Sequence, residues 1–206
     1  MDPASPLSDA LRSTIRRFDG FLRRRLGVYD LCDDTDCLLR IRVIPAPHEL
    51  LLPKAAVARG EPVVEIHLWN EHLPLIPRGG PDLSWALRLQ RQFTASLCRL
   101  AAQMTADPRL LGARAVIGTT ALLSPRGRPG GVRMMEHFGF QVSPYHSPLG
   151  RFGEFWENFY AWWIIWTYNI PSLQDRRLIR LQRVEIAMPA EEFLHRYGNK
   201  PAAHEP

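Results

Sequence analysis

Two short strand-like segments, Pro62–Asn70 and Ala113–Leu123, bracket one long amphipathic stretch that opens at Asp82. This order constrains the chain more than any other feature. Asp82 is a good N-cap, and Trp85, Leu87, Leu89, Phe93, Leu97, Leu100 and Ala101 give the stretch to about Met104 a broad apolar face. ARAVIGTTALL is almost wholly apolar, as a strand buried on both faces must be. A strand, a long helix and a buried strand in succession point to an α/β fold, with α+β as the alternative.

The flanking segments extend that plan. CLLRIRVIP, from Cys37 to Pro45, and Glu49–Leu52 read as β segments joined by the turn-forming Ala46, Pro47 and His48. Arg59, Gly60 and Glu61 form a further turn. After the buried strand come the polar SPRGRPGG, a short helix through VRMMEHF, and a strand in FGFQVSP. RVEIAMPAEEFLHRYG gives one more strand and helix. The expectation is a single domain with a mixed sheet flanked by the long helix.

Two helices decorate it. Ser5 and Pro6 start an N-terminal amphipathic helix, striped by Leu7, Leu11, Ile15, Phe18, Leu22 and Leu26, with arginines opposite. It covers the sheet or lies on an anionic membrane. Phe152 to Tyr168 (FGEFWENFYAWWIIWTY) holds four of the six tryptophans and is apolar around most of a helical cylinder. Burial against the sheet, a homodimer seam, or peripheral contact with a membrane would each satisfy it. The expected organisation is residues 1–36 as amphipathic helix and acidic turn, 37–145 as core, 146–198 as Trp-rich helix with strand and helix, and 199–206 as a disordered tail.

Composition excludes more than it identifies. The formal net charge is +5, but only Lys54 and Lys200 among the cations are lysines, which fits arginine-rich coding better than selection for nucleic acid. The three cysteines are an odd number, and nothing at the N-terminus resembles a leader, so free thiols in the cytoplasm are expected. No apolar run approaches the roughly 20 residues needed to span a bilayer. DLCDDTDCLL lacks a second ligand pair at metal-binding spacing, so it reads as an acidic turn, and no metal or cofactor is expected. There is no GxSxG elbow and no HExxH helix.

Chemistry concentrates in PVVEIHLWNEHLP. Alternation puts Val64, Ile66 and Leu68 toward the core and Glu65, His67 and Trp69 on the other face. Glu65 and His67 are then about 7 Å apart by strand rise, too far for a direct hydrogen bond unless their side chains lean together. His67 is the candidate base or ligand contact, with Glu65 its alternative. His72 falls past the strand, and Asn70 closes the turn. Farther on, Thr119 and Thr120 lie on opposite faces, and Arg126-Gly127-Arg128 precede a helix start, a sensible cradle for phosphate or carboxylate.

These blocks in order resemble the bacterial YkoP-like family, through Glu61, Ile66, His67, Leu68 and Asn70, then Gly118 and Thr120, then Gly139 and Phe140. The likeness covers about residues 37–145, and VEIAMPAEEFLHRYG is similar to the tail of members fused to polysaccharide deacetylases. The resemblance implies a setting in envelope saccharide or lipid metabolism rather than a reaction. One reading is an accessory binding module for an anionic envelope precursor, lined by His67, Asn70, Thr120, Arg126 and Arg128. The strand, loop, helix and HFGF end also resemble acetyl-CoA-dependent N-acetyltransferases, with Glu65 or His67 as base, although Met135 stands where their tyrosine would be and RGRPGG is out of register with their pyrophosphate motif. A third reading is a structural homodimer built on residues 152–168.

Overall fold

The computed structural model describes residues 17, 20–21, 24–69, 71–75, 77, 80, 82–121, 130–145, 150 and 183–198. The strands are β1 (Tyr29–Asp30), β2 (Leu39–Pro45), β3 (Leu50–Leu52), β4 (Ala55–Val57), β5 (Pro62–Leu68), β6 (Ala115–Ala121), β7 (Gln141–Pro144) and β8 (Arg183–Pro189). The helices are α1 (Leu83–Ala106), α2 (Gly130–His137) and α3 (Ala190–Tyr197). Six strands form one mixed sheet in the order β1-β2-β5-β6-β8-β7, while β3 and β4 pair only with each other. The α/β expectation holds.

β5 and β6 are parallel neighbours, which obliges the chain to cross from one end of the sheet to the other between them. α1 makes that crossing. Asp82 accepts hydrogen bonds from Trp85 N and Ser84 Oγ, both at 2.8 Å, so the helix starts where the N-cap was expected. Its inner face, with Leu97, Leu100 and Ala101 all at 0 % exposure, packs in one core with Ile41, Val64 and Val116.

β8 runs antiparallel between β6 and β7. The sheet therefore draws on residues 183–189 as well as on the stretch before 145. Ile186 and Met188 enter the α1 core, and α3 follows at once, burying Phe193 and Tyr197 there. Acidic Glu191 and Glu192 in the first turn of α3, and His195 and Arg196 in the last, align with the helix dipole. The Tyr197 hydroxyl donates to Phe138 O at 2.6 Å, and burial pushes its pKa up to about 12.

The opposite face is covered at one end by the β3–β4 hairpin. Leu50 and Val57 pack with Val63, Ala115, Ile117 and Ala187 in a second, smaller cluster. β3 follows β2 after a short turn, but β2 takes β5 as its partner over its whole length, Leu39 opposite Leu68 to Pro45 opposite Pro62. A three-residue strand cannot compete with seven matched pairs.

Two further expectations change or fall outside. Cys32 and Cys37 are joined in a disulfide with Cα atoms 6.3 Å apart, so the acidic turn is a closed loop rather than one carrying free thiols. Their spacing in sequence did not reveal that β1 and β2 bring both ends of the loop together. Among the described residues no helix is long and apolar enough to cross a membrane. The Trp-rich segment 152–168, most of the N-terminal helix and the tail 199–206 lie outside the described residues.

Candidate functional site

The register of β2 on β5 places Arg42 opposite Glu65 and Arg40 opposite His67. Alternation sends all four side chains to the face that the hairpin covers only in part. Glu65 is the centre of this row. One carboxylate oxygen accepts a hydrogen bond from Arg42 Nε and also lies 3.3 Å from His67 Nε2. The side chains of Glu65 and His67 thus lean together across the strand spacing.

That 3.3 Å approach is a close polar contact outside hydrogen-bond geometry, since Nε2 of His67 is buried without a hydrogen-bond partner. The His67 side chain as a whole is 35 % exposed, so the accessible part of the ring is away from Nε2. Burial pushes the Glu65 carboxyl up, but His67 and Arg42 outweigh it and hold the group below the usual carboxylate range. Glu65 therefore serves as a fixed negative charge at neutral pH.

Arg40 closes the same row toward the turn after β5. It is buried, pairs with Asp30 and Glu71 at 2.8 Å each, and lies 4.3 Å above the Trp69 ring. Trp69 in turn stacks on His72 at 3.7 Å, and His72 Nδ1 donates to Cys37 O at 2.9 Å. His72 is thus a structural residue of the turn.

Beyond Ile66 and Gly118 the β5–β6 ladder stops, although β5 continues paired to β2 and β6 to β8. The two parallel strands are thus unpaired with each other at their carboxyl ends. Gly118 sits at the parting: a Cβ there would meet Ile66 Cγ1 at 3.0 Å and Ile66 O at 3.1 Å. Trp69 N donates to Leu38 O, so the main chain of Leu68 turns to the other side, toward the opening. In open α/β sheets ligands bind at the carboxyl ends of parallel strands, where the connections leave room.

His67 borders this opening from β5. Of the two threonines on β6, Thr119 shares His67's face, and Thr120 points toward the α1 side with Gly118 and Ile66. Asn70, Arg126 and Arg128 lie outside the described residues. At the N-terminus of α1 the Asp82 carboxylate caps the Trp85 amide and places a negative charge there, which disfavours an anion.

The sequence reading passed over Arg42 and a second histidine–carboxylate pair, and it named Thr119 but placed Thr120 in the site instead. Glu185, opposite Thr119 on β8, lies 2.8 Å from His48 Nε2, while His48 Nδ1 lies 2.9 Å from Glu49 O. Acceptors face both ring nitrogens, and the Glu49 carbonyl first and Glu185 second raise the His48 pKa. The signal was present as RIR in one strand and EIH in another, two alternating charge pairs that match only if the strands are neighbours.

A separate surface cavity of about 520 Å³ lies between the hairpin and the α2–β7 turn, lined by Leu51, Leu52, Phe140 and Gln141 among others, and contains none of the expected site residues. Among the described residues no group of three or more His, Cys, Asp or Glu is placed to hold a metal ion.

No curated protein and no protein of solved structure matches the chain. A family model described as the YkoP domain matches residues 38–197, which takes in the whole sheet from β2 onward and both β8 and α3. The chain belongs to the YkoP domain family.

Proposed function

We propose that the chain binds an anionic small molecule, of the class of phosphorylated or lipid-linked saccharide precursors, in the opening between β5 and β6. The parting of the two strands beyond Ile66 and Gly118 carries this reading. In this reading His67 on β5 and Thr119 on β6 contribute from one face of the sheet and Thr120 from the other, and Asn70 follows β5 in sequence. Arg126 and Arg128 belong to the segment that joins β6 to α2, and their guanidinium groups would take the phosphate. The test is thermal unfolding with UDP-N-acetylglucosamine and with undecaprenyl phosphate in detergent. A ligand at a hundredfold its Kd should raise Tm by roughly 5–10 °C. His67→Ala and the pair Arg126→Ala with Arg128→Ala should each abolish the rise. A rise that survives both variants, or none with either probe, would sink the reading.

The Glu65–His67 contact favours a second reading, acyl transfer from acetyl-CoA to an amine. A carboxylate held ionised beside an imidazole supports the cation that forms when the ring accepts a proton. Acetyl-CoA would then raise Tm, and thiol release in the presence of an amine would fall in His67→Gln. Stabilisation by acetyl-CoA without thiol release would leave binding alone.

A further inference from the structure

The disulfide loop touches both the long helix and the turn that follows His67. Cys37 is fully buried, while Cys32 is half-buried. From α1, Arg99 Nη1 approaches Cys32 Sγ at 3.4 Å, and its Nη2 binds Asp34 at 2.6 Å. Leu38 N donates to Ser96 Oγ, and Gln103 Nε2 donates to Leu31 O. On the other side Cys37 O accepts from His72 Nδ1, and Leu38 O accepts from Trp69 N at 2.8 Å. The bridge thus closes a short loop whose far end holds the residues just past β5.

We propose that the Cys32–Cys37 disulfide is a thiol–disulfide exchange site for a dithiol reductant, and that its opening shifts Trp69 and His72 beside the β5 terminus. Exposure decides which sulfur is attacked. A reductant thiolate reaches Cys32 Sγ, forms a mixed disulfide there, and breaks the Cys32–Cys37 bond. The electron pair leaves on Cys37 Sγ, which takes up a proton. The second thiol of the reductant then displaces Cys32 as a thiolate and closes the reductant into its own disulfide, so two electrons pass to the protein.

Arg99 favours this second step, because a cation beside a sulfur lowers the thiol pKa and makes it a better leaving group. Asp33, Asp34 and Asp36 oppose it and repel anionic thiols, so an uncharged dithiol should act faster than glutathione at equal thiol concentration. A bridge spanning so few residues also constrains the unfolded chain less than a long one would, which leaves the fold standing after it opens. The inference does not depend on the opening being a ligand site.

The experiment uses the full chain in native buffer with dithiothreitol, followed by acid quench, denaturation, alkylation and mass counting. Far-UV circular dichroism follows the fold in parallel. Two thiols should appear while the dichroism holds, and Arg99→Gln should slow their appearance roughly threefold, with Arg99→Lys restoring most of the rate. Imidazole and indole resonances of His72 and Trp69 should move on reduction, and the Cys32→Ser/Cys37→Ser variant should reproduce the moved positions. A bond that opens only as the chain unfolds overturns the proposal, as does an unchanged rate in Arg99→Gln. Resonances of His72 and Trp69 that stay in place overturn the coupling.

Discussion

The two faces of one sheet have been put to different uses. Toward α1 and α3 the strands present Leu39, Ile41, Val64, Ile66, Val116, Ile186 and Met188, all buried and all apolar. On the reverse face the same strands begin apolar under the hairpin, at Val63, Ala115 and Ala187, and become charged toward the carboxyl ends of β5 and β6. Arg40 and Arg42 on β2, Glu65 and His67 on β5, and Glu185 on β8 share that face. The contrast teaches that the first face gives the fold its stability. The second keeps charges in fixed places, and a fold tolerates that only where each buried charge has a partner.

The sharpest way to break the contrast is at the first face. Phe193→Ala, which empties a fully buried ring position, should cost about 3–5 kcal/mol in guanidinium unfolding. A cost below 1 kcal/mol would mean that α3 is not part of the core. Gly118→Val tests the parting of the strands, since its side chain would press on Ile66 and Ile186, the latter at 3.3 Å. A loss of about 1–3 kcal/mol is expected. A neutral result would show that β5 and β6 can move apart further.

On the charged face, Glu65→Gln should cost about 1–3 kcal/mol at pH 7 by leaving Arg42 without its anion. The pH dependence has a definite sign. The folded Glu65 pKa lies below its ordinary value of 4.5, so its contribution is complete above that value and is lost as pH falls through the folded pKa. Acid unfolding of Glu65→Gln should therefore be flatter below about pH 4.5. Equal slopes would remove Glu65 from the network.

The smallest effect concerns His48, whose side chain is 54 % exposed and therefore well screened. Its folded pKa is raised above 6.5, so the contribution is complete below pH 6.5 and declines as pH rises through the folded value. His48→Gln should erase a shallow decline in Tm above pH 6.5 and leave the rest of the profile alone. A decline that persists assigns it to another group.

Much of the first face could be read directly from the chain. Period-two alternation in PVVEIHL separated Val64 and Ile66 from Glu65 and His67, and the capped amphipathic stretch at Asp82 marked α1 almost to its last turn. Local spacing suffices there because burial imposes a period that one element shows by itself. The charged face was legible only in halves. His67 and Glu65 stood out, while Arg42 and the His48–Glu185 pair did not, because each owes its role to a strand far away in sequence. Thr120 was expected beside His67, yet β6 offers Thr119 on that face, a choice set by register and not by composition.

The amino-acid sequence by itself determined most element types, the order of strand, long helix and buried strand around α1, and the membership of the chain in its family, since periodicity, capping and local motif order are written along the chain. Only the tertiary structure decided that β8 enters the sheet between β6 and β7, that His67 and Arg42 hold the Glu65 carboxyl below its ordinary pKa, and that Cys32 closes on Cys37. Each of these depends on which segments become neighbours, and pairing across long separations is fixed by the combined burial of many residues rather than by any one stretch.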